Sequence, residues 1–187
     1  MALFFYLLSS LPSLIRNSDP PITLDELREQ CAPHLSEAQL AVLDATCLIP
    51  PDADTSELPV GSLSDRYAIW ETALRNALLP ARSRKQDTSH YRRLDRDAFS
   101  ETASLAAAAA GAHNPLEAET KLDDARFQTI ENLESGVMFT FDALCAYKLK
   151  LMLLEKYRSR TVERGEKHID DILHALQAEK SASDANV

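Results

Sequence analysis

The stretch FTFDALCAYKLKLMLLEKY, Phe139 to Tyr157, decides how this chain folds. On a helical wheel started at Phe141, the side chains of Leu144, Cys145, Tyr147, Leu149, Leu151, Met152, Leu153 and Leu154 point in nearly every direction. Only Asp142, Lys148, Lys150, Glu155 and Lys156 interrupt them. A helix that is apolar almost all round has to be enclosed by protein or by lipid. Lys148 and Lys150 exclude lipid, because each would cost about 3 kcal/mol at the centre of a bilayer. The stretch therefore reads as the central buried helix, near 140–158, of an all-α bundle of about six to eight helices.

Composition agrees with this. A chain of 187 residues holds one domain or two small ones, and a single helical body of that size buries roughly 70% of its unfolded surface. Only four residues are Gly, which leaves few breaks for helix. The net charge of −9, from 29 acidic against 20 basic residues, argues against nucleic-acid binding driven by phosphate neutralisation. Cys31, Cys47 and Cys145 are far apart and show no C-x-x-C spacing, so they read as reduced core residues of a cytoplasmic protein. The opening MALFFYLLSSLP has no basic residue before Arg16 and no small-residue cleavage pattern. It reads as a buried first segment ending at Pro12, helical rather than extended, and not as an export signal.

Working outward, Thr23 with Glu26 and Ser36 with Gln39 form two capping-box patterns. They predict a helix through Cys31, stopped by Pro33, and a second helix through about Cys47, together a helical hairpin. Residues 48–62 hold three prolines and a Gly among small polar residues, which marks a linker. From Ser64 or Asp65 a helix carries Tyr67, Trp70, Leu74 and Leu78 inward, and Pro80 is expected to end or kink it at Leu79. Residues 97–110 close on five alanines, Ala106 to Ala110, with Gly111 as the terminating residue. With so little side-chain area to bury, this helix is expected either to pack very closely or to fray. Asn114-Pro115-Leu116-Glu117 is a strong helix start. That helix is expected to reach Ser135, end at Gly136 and turn Leu116, Leu122, Phe127, Ile130 and Leu133 inward. A final helix with Ile169, Ile172, Leu173 and Leu176 is predicted from Thr161 or Val162. The organisation is then 1–47, a linker 48–62, a main bundle 63–180 and a disordered tail 181–187, with one continuous domain over 1–180 as the other reading.

No motif in the chain carries catalytic chemistry. Four scattered glycines form neither a Walker loop nor a G-x-G-x-x-G. The five histidines show no H-E-x-x-H and no zinc spacing with cysteine. Glu166, Asp170 and His174 recur every four residues and could line a metal-binding face, but such a stripe more often faces solvent. Asp123-Asp124 and Glu131 with Glu134 sit on helical faces that look exposed, where charge serves solubility. No catalytic residue, cofactor or metal is therefore assigned. From Arg82 to Arg96 six basic residues, Arg82, Arg84, Lys85, Arg92, Arg93 and Arg96, make a run that is either a solvated connector or a contact for an acidic protein partner.

The order of several blocks resembles a family of small proteins encoded with bacterial V/A-type ATPases, similar to a shortened form of the C-type central-stalk component of that machine (the d-type component in eukaryotes). The blocks are Tyr6 to Pro12 followed by Pro20-Pro21 and Leu24, Trp70 to Asn76, and Asn114 to Glu119. They continue with Phe141 to Leu144, Ala146 to Leu151 and Glu155 to Tyr157, with Gly165 beyond. The resemblance implies a non-catalytic helical coupling piece that contacts the central shaft and the membrane proteolipid ring in ATP-linked ion transport. It would be cytoplasmic, held at the inner membrane through those partners, without inserting itself and without binding nucleic acid. The chain is shorter than the full C-type stalk component, which has three similar helical units. Glu71, Arg75, Asn76, Arg82 and Arg84 are the candidate residues, either as partner contacts or, for Glu71, Arg75 and Asn76, as an interhelical polar network. A free-standing helical adaptor using Arg82 to Arg96 is the alternative.

Overall fold

The computed structural model describes residues 2–50, 58–82 and 100–160, with side chains over 4–50, 58–80 and 101–160. The helices are α1 (Ala2–Ser10), α2 (Leu24–Cys31), α3 (Glu37–Ala45), α4 (Leu63–Arg82), α5 (Ser100–Ala110), α6 (Pro115–Glu134) and α7 (Phe141–Ser159). A 3-10 turn, Ala32–His34, carries Pro33 between α2 and α3. No strand occurs among the described residues, and the fold is the expected all-α bundle.

The rod is α7. Ala143 to Tyr147, Leu149, Leu151, Leu153 and Leu154 are all buried in it, and α1, α2, α3, α4 and α6 pack around it. The charges that interrupt the rod have specific uses. Asp142 accepts from the N–H of Leu63, the first residue of α4, at 3.4 Å. Glu155 accepts from the N–H of Leu24, the first residue of α2, at 3.1 Å. Lys148 donates to the carbonyls of Leu43 and Asp44, in the last turn of α3, at 2.6 and 3.1 Å. Helix starts leave backbone donors unpaired and helix ends leave acceptors unpaired, so each of these charges meets a terminus of the opposite polarity. Lys150 and Lys156 reach Glu134 and Asp123 of α6 at 2.7 and 2.8 Å. The polar residues of the rod thus fix the ends and register of the helices around it.

Leu7, Leu11, Leu27, Cys31 and Leu43 belong to the same hydrophobic core as Trp70, Leu74, Phe127, Ile130 and the rod. Both predicted capping boxes form, at Thr23–Glu26 and Ser36–Gln39, and Arg28 of α2 grips Asp44 of α3 through both carboxylate oxygens at 3.0 and 3.2 Å. Asn114 caps α6 by accepting from the N–H of Glu117 at 2.8 Å. Of the two outcomes open to the alanine helix, close packing is the one observed: Thr102, Ala106 and Ala109 are buried, and α5 lies against α4 and α6.

The structure departs from the sequence reading in several places. Helix α4 does not end at Leu79 but continues through Pro80 to Arg82, with Pro80 in its last turn. Gly111 does not adopt a left-handed conformation; its N–H bonds to the Ala107 carbonyl at 3.0 Å as any helical residue would. Gly136 does adopt one, at φ +95°. Helix α3 stops at Ala45 rather than Cys47, because Thr46 is already extended. Leu116 is 63% exposed, since it lies six residues before Leu122, about 120° round the helix. Helix α1 buries Leu7 but leaves Phe5 and Tyr6 exposed on its other face. The predicted final helix from Thr161, the tail, residues 51–57 of the linker, the Glu166-Asp170-His174 face and residues 83–99 of the basic stretch lie outside the described residues. No described helix is long and apolar enough to cross a membrane.

Candidate functional site

The Trp70–Asn76 block lies in the middle of α4 and places Glu71 wholly inside the bundle. Spacing on α6 puts Asp123, Arg126, Phe127 and Ile130 on one face, and all four are buried. The two faces meet through charge. Arg126 donates from Nε to Glu71 Oε2 at 2.9 Å and from Nη2 to Glu71 Oε1 at 2.8 Å. Its Nη1 donates to Asp123 Oδ1 at 2.7 Å. Arg75, one turn along α4, adds a bond to Glu71 Oε1 at 3.1 Å. From α7, Lys156 reaches Asp123 Oδ1 at 2.8 Å, and Arg160, just past its end, reaches Asp123 Oδ2 at 2.5 Å. The guanidinium of Arg160 also lies over the Tyr157 ring, 5.6 Å from its centroid. At the edge, Arg16 of the N-terminal segment pairs with Asp124.

Burial opposes every charge in this cluster, and pairing decides the outcome. Burial alone would lower the Arg126 pKa, but the hydrogen bonds and charge of Glu71 outweigh it and raise it. For Asp123, burial pushes the carboxyl up, while the hydrogen bonds and charges of Lys156 and Arg126 hold it below its ordinary value. Both carboxylates are thus engaged by neighbouring cations. What the arrangement does chemically is lock α4, α6 and the end of α7 into one register. Three buried polar atoms find no hydrogen-bond partner among the described residues: the hydroxyl of Tyr67, Nε1 of Trp70 and Nη1 of Arg160. Tyr67 feels the charges of Glu71, Arg126 and Asp123, and its pKa is raised, chiefly by burial.

Of the sequence candidates, Glu71 and Arg75 are members of this interhelical network. Asn76 is half-buried on the same helix. Arg82 ends α4 with its side chain outside the described residues, and Arg84 lies outside them altogether. The reading of Asp123 as an exposed solubilising acid is overturned, because Asp123 is fully buried. Arg126, Lys156 and Arg160 belong to no local motif, and sequence reasoning misses their part in the cluster. The signal for Arg126 lies in its spacing, three residues after Asp123 and one turn before Ile130. Among the described residues no group of His, Cys, Asp and Glu is arranged to hold a metal ion.

The model of a family described as Protein of unknown function (DUF2764) matches residues 96–180. That stretch takes in α5, α6 and α7, and with them Asp123, Arg126, Lys156 and Arg160. No curated protein matches the chain. No solved structure matches it either.

Proposed function

We propose that this chain is a non-catalytic component of a bacterial V/A-type ATPase, similar to the C-type piece of its central stalk. It would couple, or help assemble, the central rotor shaft and the membrane proteolipid ring, lying at the cytoplasmic face of the inner membrane through those partners. The observation that carries the reading is where the blocks of the resemblance meet. Tyr147 of the rod block donates to the carbonyl of Pro12, in the N-terminal block, at 2.8 Å. Glu155 of the same rod holds the N–H of Leu24 at 3.1 Å. Blocks more than a hundred residues apart are joined by hydrogen bonds, so the stretches that carry the resemblance form one packed unit. A torque-transmitting spacer needs stiffness, and a helix enclosed on all sides, with its charges fixed on neighbouring helix ends, supports that role.

The test is recovery of the tagged protein from gently solubilised membranes of its own cell, with the bound chains identified by mass spectrometry. Catalytic, shaft and proteolipid-ring proteins of the ATPase are expected together. Membranes that contain the ATPase but release none of it with the tag would overturn the proposal.

A further inference from the structure

The rod α7 is not covered equally on all its sides. Leu149, Leu151, Leu153 and Leu154 are wholly buried, whereas Lys148, Met152 and Glu155, spaced four and three residues apart along one stripe, are only half-buried. That stripe carries the α2–α3 hairpin. Lys148 and Met152 line a cleft of about 230 Å³ with Leu24, Leu27 and Leu43 of the hairpin, and Glu155 holds the N–H of Leu24. Helices α2 and α3 pack chiefly on α7, while α4, α6 and α7 each pack on the other two. The hairpin is also tied within itself. Its helices are 8 and 9 residues long, too short to persist alone in water, but Arg28 clamps Asp44 between them at 3.0 and 3.2 Å. Anchors bracket it in the chain. Before it, Tyr147 holds the Pro12 carbonyl and Arg16 pairs with Asp124; after it, the hydroxyls of Thr46 and Ser64 meet at 2.8 Å. From the first anchor to α2 the chain turns at Asn17, φ +61°, and passes Pro20-Pro21 without forming helix.

We infer that residues 23–45 form a flap that lifts off α7 as one body while α1, α4, α5, α6 and α7 stay in place. Thr46 is the pivot, the irregular segment from Asn17 to Ile22 supplies the slack, and Glu155 and Lys148 are the catches. The joint is the weakest in the molecule for three reasons. Its cleft denies the lining side chains part of their packing. Both catches hold backbone groups at helix ends, which water satisfies once they are freed. And the Arg28–Asp44 clamp lies inside the flap, so opening leaves it intact. Small units of this kind open at less cost than the whole fold. Lifting uncovers Leu27, Leu43 and Met152, an apolar strip that the closed molecule covers.

Amide hydrogen exchange of the full chain, read peptide by peptide in a mass spectrometer, tests the flap. Amides of α2 and α3 should share one protection factor, at least about tenfold below that of α7, and respond weakly to low urea because little surface is exposed. Glu155→Ala should lower protection in both hairpin helices about tenfold and leave α6 and α7 unchanged. Lys148→Met should act in the same direction. Two cysteines give a second readout: Cys31 on α2 is 0% exposed, and Cys145 on α7, held by Ser64 and Thr46 at the pivot, is 1% exposed. In a Cys47→Ala chain, iodoacetamide should modify Cys31 well before Cys145. Protection of α2 and α3 equal to that of α7, or different between the two hairpin helices, would overturn the inference. So would equal labelling of the two thiols, or catch variants that loosen the whole bundle alike.

Discussion

Glu71 on α4 and Arg126 on α6 are joined side by side through two hydrogen bonds of 2.9 and 2.8 Å, with Glu71 wholly buried and Arg126 nearly so. Their spacing matches a guanidinium fork on a carboxylate, the geometry that fixes orientation as well as distance. Taking away one member leaves the other charged, dry and short of partners. Glu71→Ala or Arg126→Ala alone is therefore expected to cost about 3–5 kcal/mol, measured by urea denaturation. The double change Glu71→Leu with Arg126→Met should recover most of that loss. A double variant as unstable as the sum of the singles would mean that the pair does not act as a unit.

Asp123 gives the cluster a pH signature. Its folded pKa lies below the ordinary 3.8, because Lys156 and Arg126 outweigh the effect of burial. A depressed carboxylate contributes stability that is fully present above its unfolded pKa and is lost as the pH falls through the folded one. The difference in stability between the wild type and Asp123→Asn should therefore be largest near neutral pH and shrink below about pH 4. Denaturation midpoints of the two proteins near pH 6 and pH 3 test this. A difference that grows on acidification would have the wrong sign.

How much of this is legible in the sequence follows from the distance over which each feature is determined. The rod, the two capping boxes and the Asn114 cap are set by residues within one or two turns of each other, and all form. Pairing across helices is a different matter. Glu71 and Arg126 are 55 residues apart, and no local rule assigns one to the other. Asp123 misleads because its neighbour Asp124 is only half-buried. A run of two acids looks solvated, although one step along a helix turns a side chain by about 100° and can move it from surface to core. The exposed ring cluster of Phe5, Tyr6 and Phe139 escapes for the opposite reason, since apolar residues near a chain start read as buried until the neighbouring elements are placed.

Gly111 and Gly136 should respond to alanine in opposite directions. A methyl group at Gly111 would meet only the Ala107 carbonyl oxygen, at an ordinary 3.5 Å, and the backbone there is not left-handed. Gly111→Ala is expected to stabilise by about 0.4–1 kcal/mol, mainly by restricting the unfolded chain. Open space surrounds the same methyl at Gly136, but φ is +95°, so Gly136→Ala should destabilise by about 1–2 kcal/mol. Thermal melts of the two variants against wild type suffice.

The three thiols should separate by reactivity. Cys31 and Cys145 are buried; burial pushes the Cys31 thiol up to about 11 and raises that of Cys145. Cys47 is only half-buried, and its thiol donates to the Ile49 carbonyl at 2.9 Å. Under native conditions an alkylating reagent should label Cys47 first, with Cys31 and Cys145 following only as the fold opens. The raised Cys31 value adds a further expectation. Between about pH 9 and 11 the folded thiol keeps its proton while the unfolded one loses it, so this group's contribution to stability falls as the pH rises. Labelling followed by peptide mapping, and alkaline denaturation of Cys31→Ala beside wild type, check the two statements.

Tyr67 is the most direct test of how the interior of the bundle is satisfied. Its hydroxyl is fully enclosed and has no hydrogen-bond partner among the described residues, close enough to Glu71 and Asp123 to feel their charge. An enclosed hydroxyl without a partner has given up water and gained nothing for it, a loss of about 1–3 kcal/mol. Tyr67→Phe removes only that oxygen and leaves the ring beside Trp70, whose centroid is 6.1 Å away. The variant should therefore be as stable as wild type or more so, by up to about 1 kcal/mol, in urea denaturation. A loss of stability of the size expected for a broken hydrogen bond would show instead that the hydroxyl is engaged in solution, and that a bound water or ion belongs beside the Glu71–Arg126–Asp123 cluster.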